Sequence, residues 1–356
     1  MGIAFAILLF GLLILFHELG HFMTAKLFHV QVNEFSLFMG PAIFKKKKGE
    51  TLYSLRCIPI GGYCAMEGED KDTDSPRSFQ KASWWKRLII LLAGSFMNFV
   101  MGFVLFGIVF GSAKQINVPV IGEVEQGCTI VREGGLQVGD RFLEVDGENV
   151  YVVGDVSWLL SLNPGETHDL VVERDGKVLT FDDYRMQTHI FDDNENGIED
   201  DAPRYGFDFS SESVTVGSVL RQSWNQSVNS VRMVRLSLKM LLTGEAGLKD
   251  MTGVIGMVQV MDESADAAEN NSDAILNMLY LGAFIAINLA VMNLLPIPAL
   301  DGGRALFLLL TTGYEKITRK KINPKFEGYL HGIGMILLLA LMAIVMFKDI
   351  FVIFKG

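Results

Sequence analysis

The chain has 356 residues, half of them hydrophobic, with a mean hydropathy of +0.31 and a formal net charge of −10. This balance describes a membrane protein that also carries water-soluble mass. The acidic excess and the lack of a basic stripe argue against a nucleic-acid partner, and three cysteines with no CxxC pair give no disulfide framework.

Four segments are apolar enough to cross a bilayer of about 30 Å. They are expected near residues 2–25, 88–112, 275–296 and 328–354, with an extension of the third towards 312 left open. The first apolar run, Ile3–Phe16, has no basic stretch before it and no small-residue cleavage site after it. It is therefore expected to stay in the membrane rather than be removed as a signal peptide.

That run leads into His17-Glu18-Leu19-Gly20-His21, followed by more apolar sequence from Phe22. On a helix, residues four apart share a face, so His17 and His21 can offer two imidazole nitrogens to one metal. Glu18 stands beside them, placed to take a proton from a metal-bound water. Ionisable groups inside a membrane are costly, and such a cluster is read as functional.

Residues 26–87 hold 11 Lys/Arg, including the run Lys45–Lys48. Lys316, Arg319, Lys320, Lys321 and Lys325 crowd the link between the third and fourth spans. By the positive-inside rule both segments face the cytoplasm, which puts both termini outside. Within the first loop, Thr51–Tyr63 alternates like a strand with a break at Gly61-Gly62, and Gly40-Pro41 marks a turn, so a β-hairpin is expected. Trp84 and Trp85 beside Lys86 and Arg87 read as an interfacial anchor for the second span.

Residues 113–274 carry 29 Asp/Glu against 12 Lys/Arg, a composition suited to a solvated, outward-facing region. From Val118, short β-rich runs alternate with glycine turns. A helix-like Asp155–Leu162 and a strand pair, Thr167–Arg174 and Lys177–Asp182, follow around Asp175-Gly176. Asp192, Asn194 and Asn196 followed by Gly197 imitate the first half of a calcium loop. The twelfth position is Pro203 rather than a bidentate Glu, so Ca2+ binding at 192–201 is not expected. Val219–Leu242 is amphipathic and suited to the outer membrane surface. His29, His168, His189 and His331 have no ligand-like spacing and read as ordinary surface or interfacial histidines.

Catalytic zinc needs a third ligand and an open position for water. The best candidate is Asp301, in Asn293-Leu-Leu-Pro296-Ile-Pro298-Ala-Leu-Asp301-Gly302-Gly303 at the end of the third span. Two prolines interrupt the helix and the glycine pair frees the backbone beyond Asp301. Irregular backbone at this depth is tolerated where protein or a water-filled cavity buries it. The competing reading is an aspartate that caps a new helix beginning at Gly302. Asn293 carries a donor that could stabilise a tetrahedral oxyanion, or could equally bond another helix.

These motifs together resemble the site-2 proteases of the regulator-of-sigma-E type, membrane-embedded zinc proteases that cut the transmembrane segments of other proteins. The resemblance covers most of the chain and extends to Gly61-Gly62-Tyr63, Asn98 and the glycine-rich Thr252–Gly256. It implies His17, His21 and Asp301 as ligands of one Zn2+, Glu18 as catalytic base and Asn293 as an assisting residue. It also implies that the hairpin around Gly61, Gly62 and Tyr63 dips into the membrane by the active site; an exposed edge there could pair with unwound substrate by strand addition, the alternative being a plain cytoplasmic hairpin. Ala93-Gly94-Ser95 departs from the usual Gly-Pro of bacterial members. The Gly-Leu, Gly-Asp and Asp-Gly series over 116–210 is similar to a PDZ domain, which implies binding of peptide C-termini or a size filter.

The expectation is a polytopic α-helical membrane protein of about four helices with an inserted, mostly-β PDZ domain. Residues 1–112 would hold the first two spans, 116–210 the PDZ domain, 211–274 connecting helices, and 275–356 the last two spans. The function implied is an intramembrane zinc metalloendopeptidase of a bacterial plasma membrane. Its substrates would be single-span membrane proteins of the anti-sigma-factor or remnant-signal-peptide kind. A catalytically silent scaffold that recruits partners through its PDZ domain is the alternative, though a scaffold has no need of Glu18. A metal-binding transporter would call for inverted-repeat hydropathy, and none is evident.

Overall fold

The computed structural model describes residues 2–69, 73–125, 128–162, 167–188, 205–244, 247, 256, 260, 268, 270–319 and 324–355. Contacts divide the chain into two units, Met1–Phe106 with Ser230–Gly356, and Gly107–Asn229. The loop at 192–201 and nearly all of the glycine-rich Thr252–Gly256 lie outside the described residues, as does His189.

The first unit is built on helices whose apolar runs match a bilayer. Helix α1 (Gly2–Leu27) and helix α2 (Trp84–Ser112) come before the insert. Helices α5 (Asn271–Leu294), α6 (Asp301–Thr318) and α7 (Pro324–Lys355) come after it. Four helical stretches are long and apolar enough to span: Ile7–Leu27, Trp84–Ser112, Asn271–Leu294 and Gly328–Asp349. The chain is thus a polytopic helical membrane protein with a β-rich insert. Apolar side chains such as Ile336, Leu337 and Phe347 stand exposed along α7, as lipid-facing positions do.

Close helix crossings rest on small residues. A Cβ on Gly20 would overlap the carbonyl of Ala93. One on Gly102 would lie 2.7 Å from Ile287 Cγ1 and 2.8 Å from the carbonyl oxygen of Ala283. Membrane helices gain little from hydrophobic burial against each other, so close backbone approach supplies the attraction instead.

Helix α1 stops at His29, which takes the left-handed conformation (φ 63°). His29 N–H bonds to Lys26 O and Val30 N–H to Ala25 O, the paired bonds of a Schellman stop. His29 is therefore a helix terminator in a place where glycine is usual. Strands β1 (Val32–Lys48) and β2 (Thr51–Met66) then form the expected hairpin. The segment Glu34–Leu37 pairs with Gly62–Ala65 on one side and with Leu52–Leu55 on the other. Gly62–Met66 is left along one edge. Glu50 at the hairpin turn is gripped by Lys26 and by both terminal nitrogens of Arg77, which ties the turn to the helix end.

The second unit holds β3 (Gln115–Val124), β4 (Arg141–Val145), β5 (Glu148–Asn149), α3 (Val153–Leu162), β6 (Thr167–Arg174), β7 (Lys177–Arg185) and β8 (Phe207–Ser213). These strands form one antiparallel sheet in the order β7-β6-β4-β3-β8, with β5 beside β4. Its core packs Ile121, Phe142, Val145, Leu170 and Val172 against Val156 and Leu160 of α3. Asp155, the third residue of α3, reaches back over the helix start and accepts the N–H groups of Tyr151 and Val152 at 2.7 and 3.0 Å. His168 is not a surface histidine: it is buried and its Nδ1 meets Asp146 Oδ2 at 2.8 Å. Amphipathic helix α4 (Val216–Thr243) follows.

The third span does not run on towards 312. Pro296 and Pro298 lack the N–H groups a helix needs and restrict the residues before them, so α5 ends at Leu294 and a new helix begins at Asp301. Asp301 is the first residue of α6, and Leu300 is its N-cap.

Candidate active site

Helix spacing puts His17 and His21 on one face of α1, and the turn before α6 delivers Asp301 to them. His17 Nε2 and His21 Nε2 are 3.3 Å apart, and each is 3.3 Å from Asp301 Oδ2. Three donor atoms thus form a nearly equilateral triangle. A tetrahedral zinc with bonds of ~2.0–2.1 Å has ligand–ligand edges of about 3.3 Å, so the triangle is one face of such a site. Asp301 Oδ2 is itself buried without a well-aligned hydrogen bond, leaving its acceptor capacity open. Two imidazoles and a carboxylate, with the Glu18 carboxyl beside them in sequence, form a nitrogen and oxygen donor set that suits a divalent cation. Among the described residues, these three form the one cluster of His, Cys, Asp or Glu with metal-holding geometry.

Each imidazole is oriented by its far nitrogen. His21 Nδ1 donates to the carbonyl of Ile90 at 2.8 Å, so the lone pair of Nε2 faces the triangle. His17 Nδ1 lies 3.4 Å from the amide of Asn98. With that amide turned so that Oδ1 accepts the Nδ1 proton, His17 Nε2 is bare as well. Both orienting groups come from α2.

Gly94 of α2 explains why that helix can come so close. A Cβ there would overlap His21 Nε2 and lie 2.7 Å from His17 Cε1. The residue is a site requirement, whereas the sequence flagged only the unusual tripeptide around it. Gly302 and Gly303 act in the same way. They sit inside α6, buried, and a Cβ on either would overlap a carbonyl of the preceding turn, Leu294 or Ile297. Close packing, rather than a freed backbone, is what requires them.

Glu18 faces the hairpin. A Cβ on Gly62 would lie 3.2 Å from Glu18 Cγ and 3.0 Å from the carbonyl oxygen of Ser36. Gly61 takes φ +69° and Tyr63 stacks beneath Arg56. The edge segment Gly62–Met66 therefore starts beside Glu18. The side chain of Asn293, half-buried near the end of α5, makes no hydrogen bond among the described residues. Arg304, one turn beyond Asp301, donates to Glu69 just past the hairpin and so links the aspartate's helix to the strand pair.

Residues 5–341 match Peptidase family M50. The chain belongs to that family. Proteins of Clostridium acetobutylicum and Clostridium perfringens, named as candidate zinc metalloproteases, are each 36% identical to it over 352 residues. The alignments cover 98% of this chain in both cases, and 97% and 98% of the relatives. The regulator of sigma-W protease RasP of Bacillus subtilis is 28% identical over 427 aligned residues, covering 97% of each chain. This M50 peptidase is a membrane zinc metalloprotease by family, and the triangle of donor atoms fits the metal that family uses.

Proposed function

We propose that this M50 peptidase hydrolyses peptide bonds within the transmembrane segments of single-span membrane proteins, with His17, His21 and Asp301 holding one zinc ion. The observation that carries the proposal is the 3.3 Å triangle of donor atoms on membrane-embedded helices, with Glu18 next to it in sequence. Zinc bound there supplies a Lewis acid that polarises a carbonyl and lowers the pKa of water. Glu18 accepts the proton from the attacking water and returns it to the leaving amide nitrogen. A helical substrate must first be unwound. The edge Gly62–Met66 offers backbone N–H and C=O groups to an extended chain, with Gly61, Gly62 and Tyr63 nearest Glu18. Asn293 carries a side-chain donor that would stabilise the oxyanion.

Positive-inside charge favours a cytoplasmic hairpin, an outward-facing insert and both termini outside a bacterial plasma membrane. The insert's antiparallel sheet and single helix suit a PDZ domain, which would bind peptide C-termini or exclude substrates with bulky outward parts. The name of RasP ties that relative to control of a sigma factor. Substrates of the anti-sigma-factor class, or remnant signal peptides, follow by analogy.

Co-expression with a tagged single-span substrate tests the reading. Wild type should cut within the span, and Glu18→Gln should not while retaining zinc. Full cleavage by Glu18→Gln would sink the mechanism. A wild-type protein purified free of zinc would favour a silent scaffold.

A further inference from the structure

Asp301 is placed by a turn, and that turn is held from outside. Leu295–Leu300 connects α5 to α6 and contains two prolines. Within it, Ile297 N–H bonds to Leu295 O and Leu300 N–H to Ile297 O. Between them Ala299 adopts φ +85°, a left-handed conformation that residues with a Cβ rarely take. Its N–H makes none of the turn's backbone hydrogen bonds among the described residues. It is received by His331 of α7, whose Nδ1 lies 3.1 Å away. One helical turn further along α7 comes Gly334, where a Cβ would lie 2.5 Å from Pro298 Cβ and 2.6 Å from its carbonyl oxygen. Helix α7 thus grips the turn at two consecutive residues, Pro298 by contact and Ala299 by a hydrogen bond, just before the aspartate. The ring of Phe307 on α6 lies edge-on to the His331 ring, with centroids 6.2 Å apart.

We propose that His331 is a positioning residue of the metal centre. By accepting the Ala299 N–H it holds the strained turn that sets the Asp301 carboxylate in the plane of the two imidazole nitrogens. The inference rests on the reading of Asp301 as a metal ligand. Acceptance by Nδ1 puts the ring proton on Nε2, so the imidazole acts in its neutral form and is not itself a ligand. Partners that orient a ligand matter to about ten- to hundred-fold in metal affinity or activity when removed.

The test uses the full-length protein purified in detergent. His331→Leu removes the acceptor and approximates the volume. His331→Asn puts Oδ1 where Nδ1 stands, whereas His331→Gln puts its oxygen nearer the place of Nε2. Three readouts are taken: kcat and KM for a tagged single-span substrate, the rate of zinc loss to a chelator, and the visible spectrum after cobalt substitution. His331→Leu and His331→Gln should lose zinc about ten-fold faster or more and lower kcat in proportion, with KM little changed and the cobalt spectrum altered. His331→Asn should restore all three towards wild type. Equal behaviour of the Asn and Gln variants, or wild-type zinc retention and spectrum in His331→Leu, would overturn the proposal. Should His331→Leu fail to accumulate, the Asn–Gln comparison decides alone. Failure of the ligand reading itself looks different. It would appear as a wild-type protein without zinc, whereas failure of the His331 proposal leaves wild-type zinc intact.

Discussion

Two aspartates, one in each unit of the chain, show how differently the two halves use charge. In the insert, Asp140 is fully buried and fully answered. Arg174 Nε and Nη2 donate to its two oxygens at 2.6 Å, and the Gln137 N–H adds a third bond at 2.8 Å. In the membrane unit, Asp301 Oδ2 is buried and no donor among the described residues completes it. The first aspartate is part of the scaffold, because a buried charge persists only when paired and hydrogen-bonded. The second stands between two imidazoles with acceptor capacity open, as the proposed ligand role requires. What separates the two carboxylates here is the state of their lone pairs.

The comparison breaks most visibly at Glu18. Glu18→Gln should cost on the order of 10²–10⁴-fold in cleavage rate while leaving zinc content unchanged, since a general base is lost and no ligand is. Asp301→Ala, by contrast, should remove both zinc and activity, which metal analysis of the purified variants would separate. Gly94→Ala comes next. The added methyl overlaps both histidines, an overpacking worth about 1–3 kcal/mol, and zinc affinity should fall together with stability. On the other side of the comparison, Asp140→Ala should destabilise the insert by about 3 kcal/mol, at the lower end for a broken buried pair because Arg174 is partly exposed. Denaturant unfolding should record that loss with zinc content unchanged.

Asn98→Ala should weaken zinc binding by about ten-fold or more through misorientation of His17. The smallest effect concerns the hairpin turn. Arg77 and then Lys26 hold the Glu50 carboxyl down from 4.5 to about 2. A carboxylate lowered in the folded state adds stability above its unfolded value, and that stability is lost as pH falls from about 4.5 towards 2. The melting temperature of Glu50→Gln should therefore lie slightly below wild type at pH 7. The gap should narrow as pH falls below about 4.5 and close only near pH 2, and a gap of unchanged size there would remove the charge from the explanation.

Much of this was legible in the sequence because the membrane imposes length and polarity on every span. The four apolar runs, the paired histidines at helical spacing and the proline-broken aspartate motif each carry a local signal. The hairpin and the strand pair around Asp175-Gly176 were equally readable from alternation and turn residues. Contacts set by packing were not. Nothing near Gly94 announces that two histidines from 73 and 77 residues earlier will press against it. His331 has no ligand-like spacing because its partner is a backbone N–H 32 residues away, reached only when α7 lies against the turn. His168, expected as a surface or interfacial histidine, is buried against Asp146, whereas His29 is exposed as expected and also ends a helix. A histidine's role follows from which nitrogen is occupied and by what, and sequence spacing is silent on that.

The most direct test of the central claim is X-ray absorption at the zinc edge on the purified, full-length protein. The account predicts one zinc per chain, with a first shell of nitrogen and oxygen at about 2.0–2.1 Å that includes two imidazoles and is lost in Asp301→Ala. A sulfur shell at about 2.3 Å would assign the metal to the cysteines instead, and an unchanged shell in Asp301→Ala would contradict the ligand set.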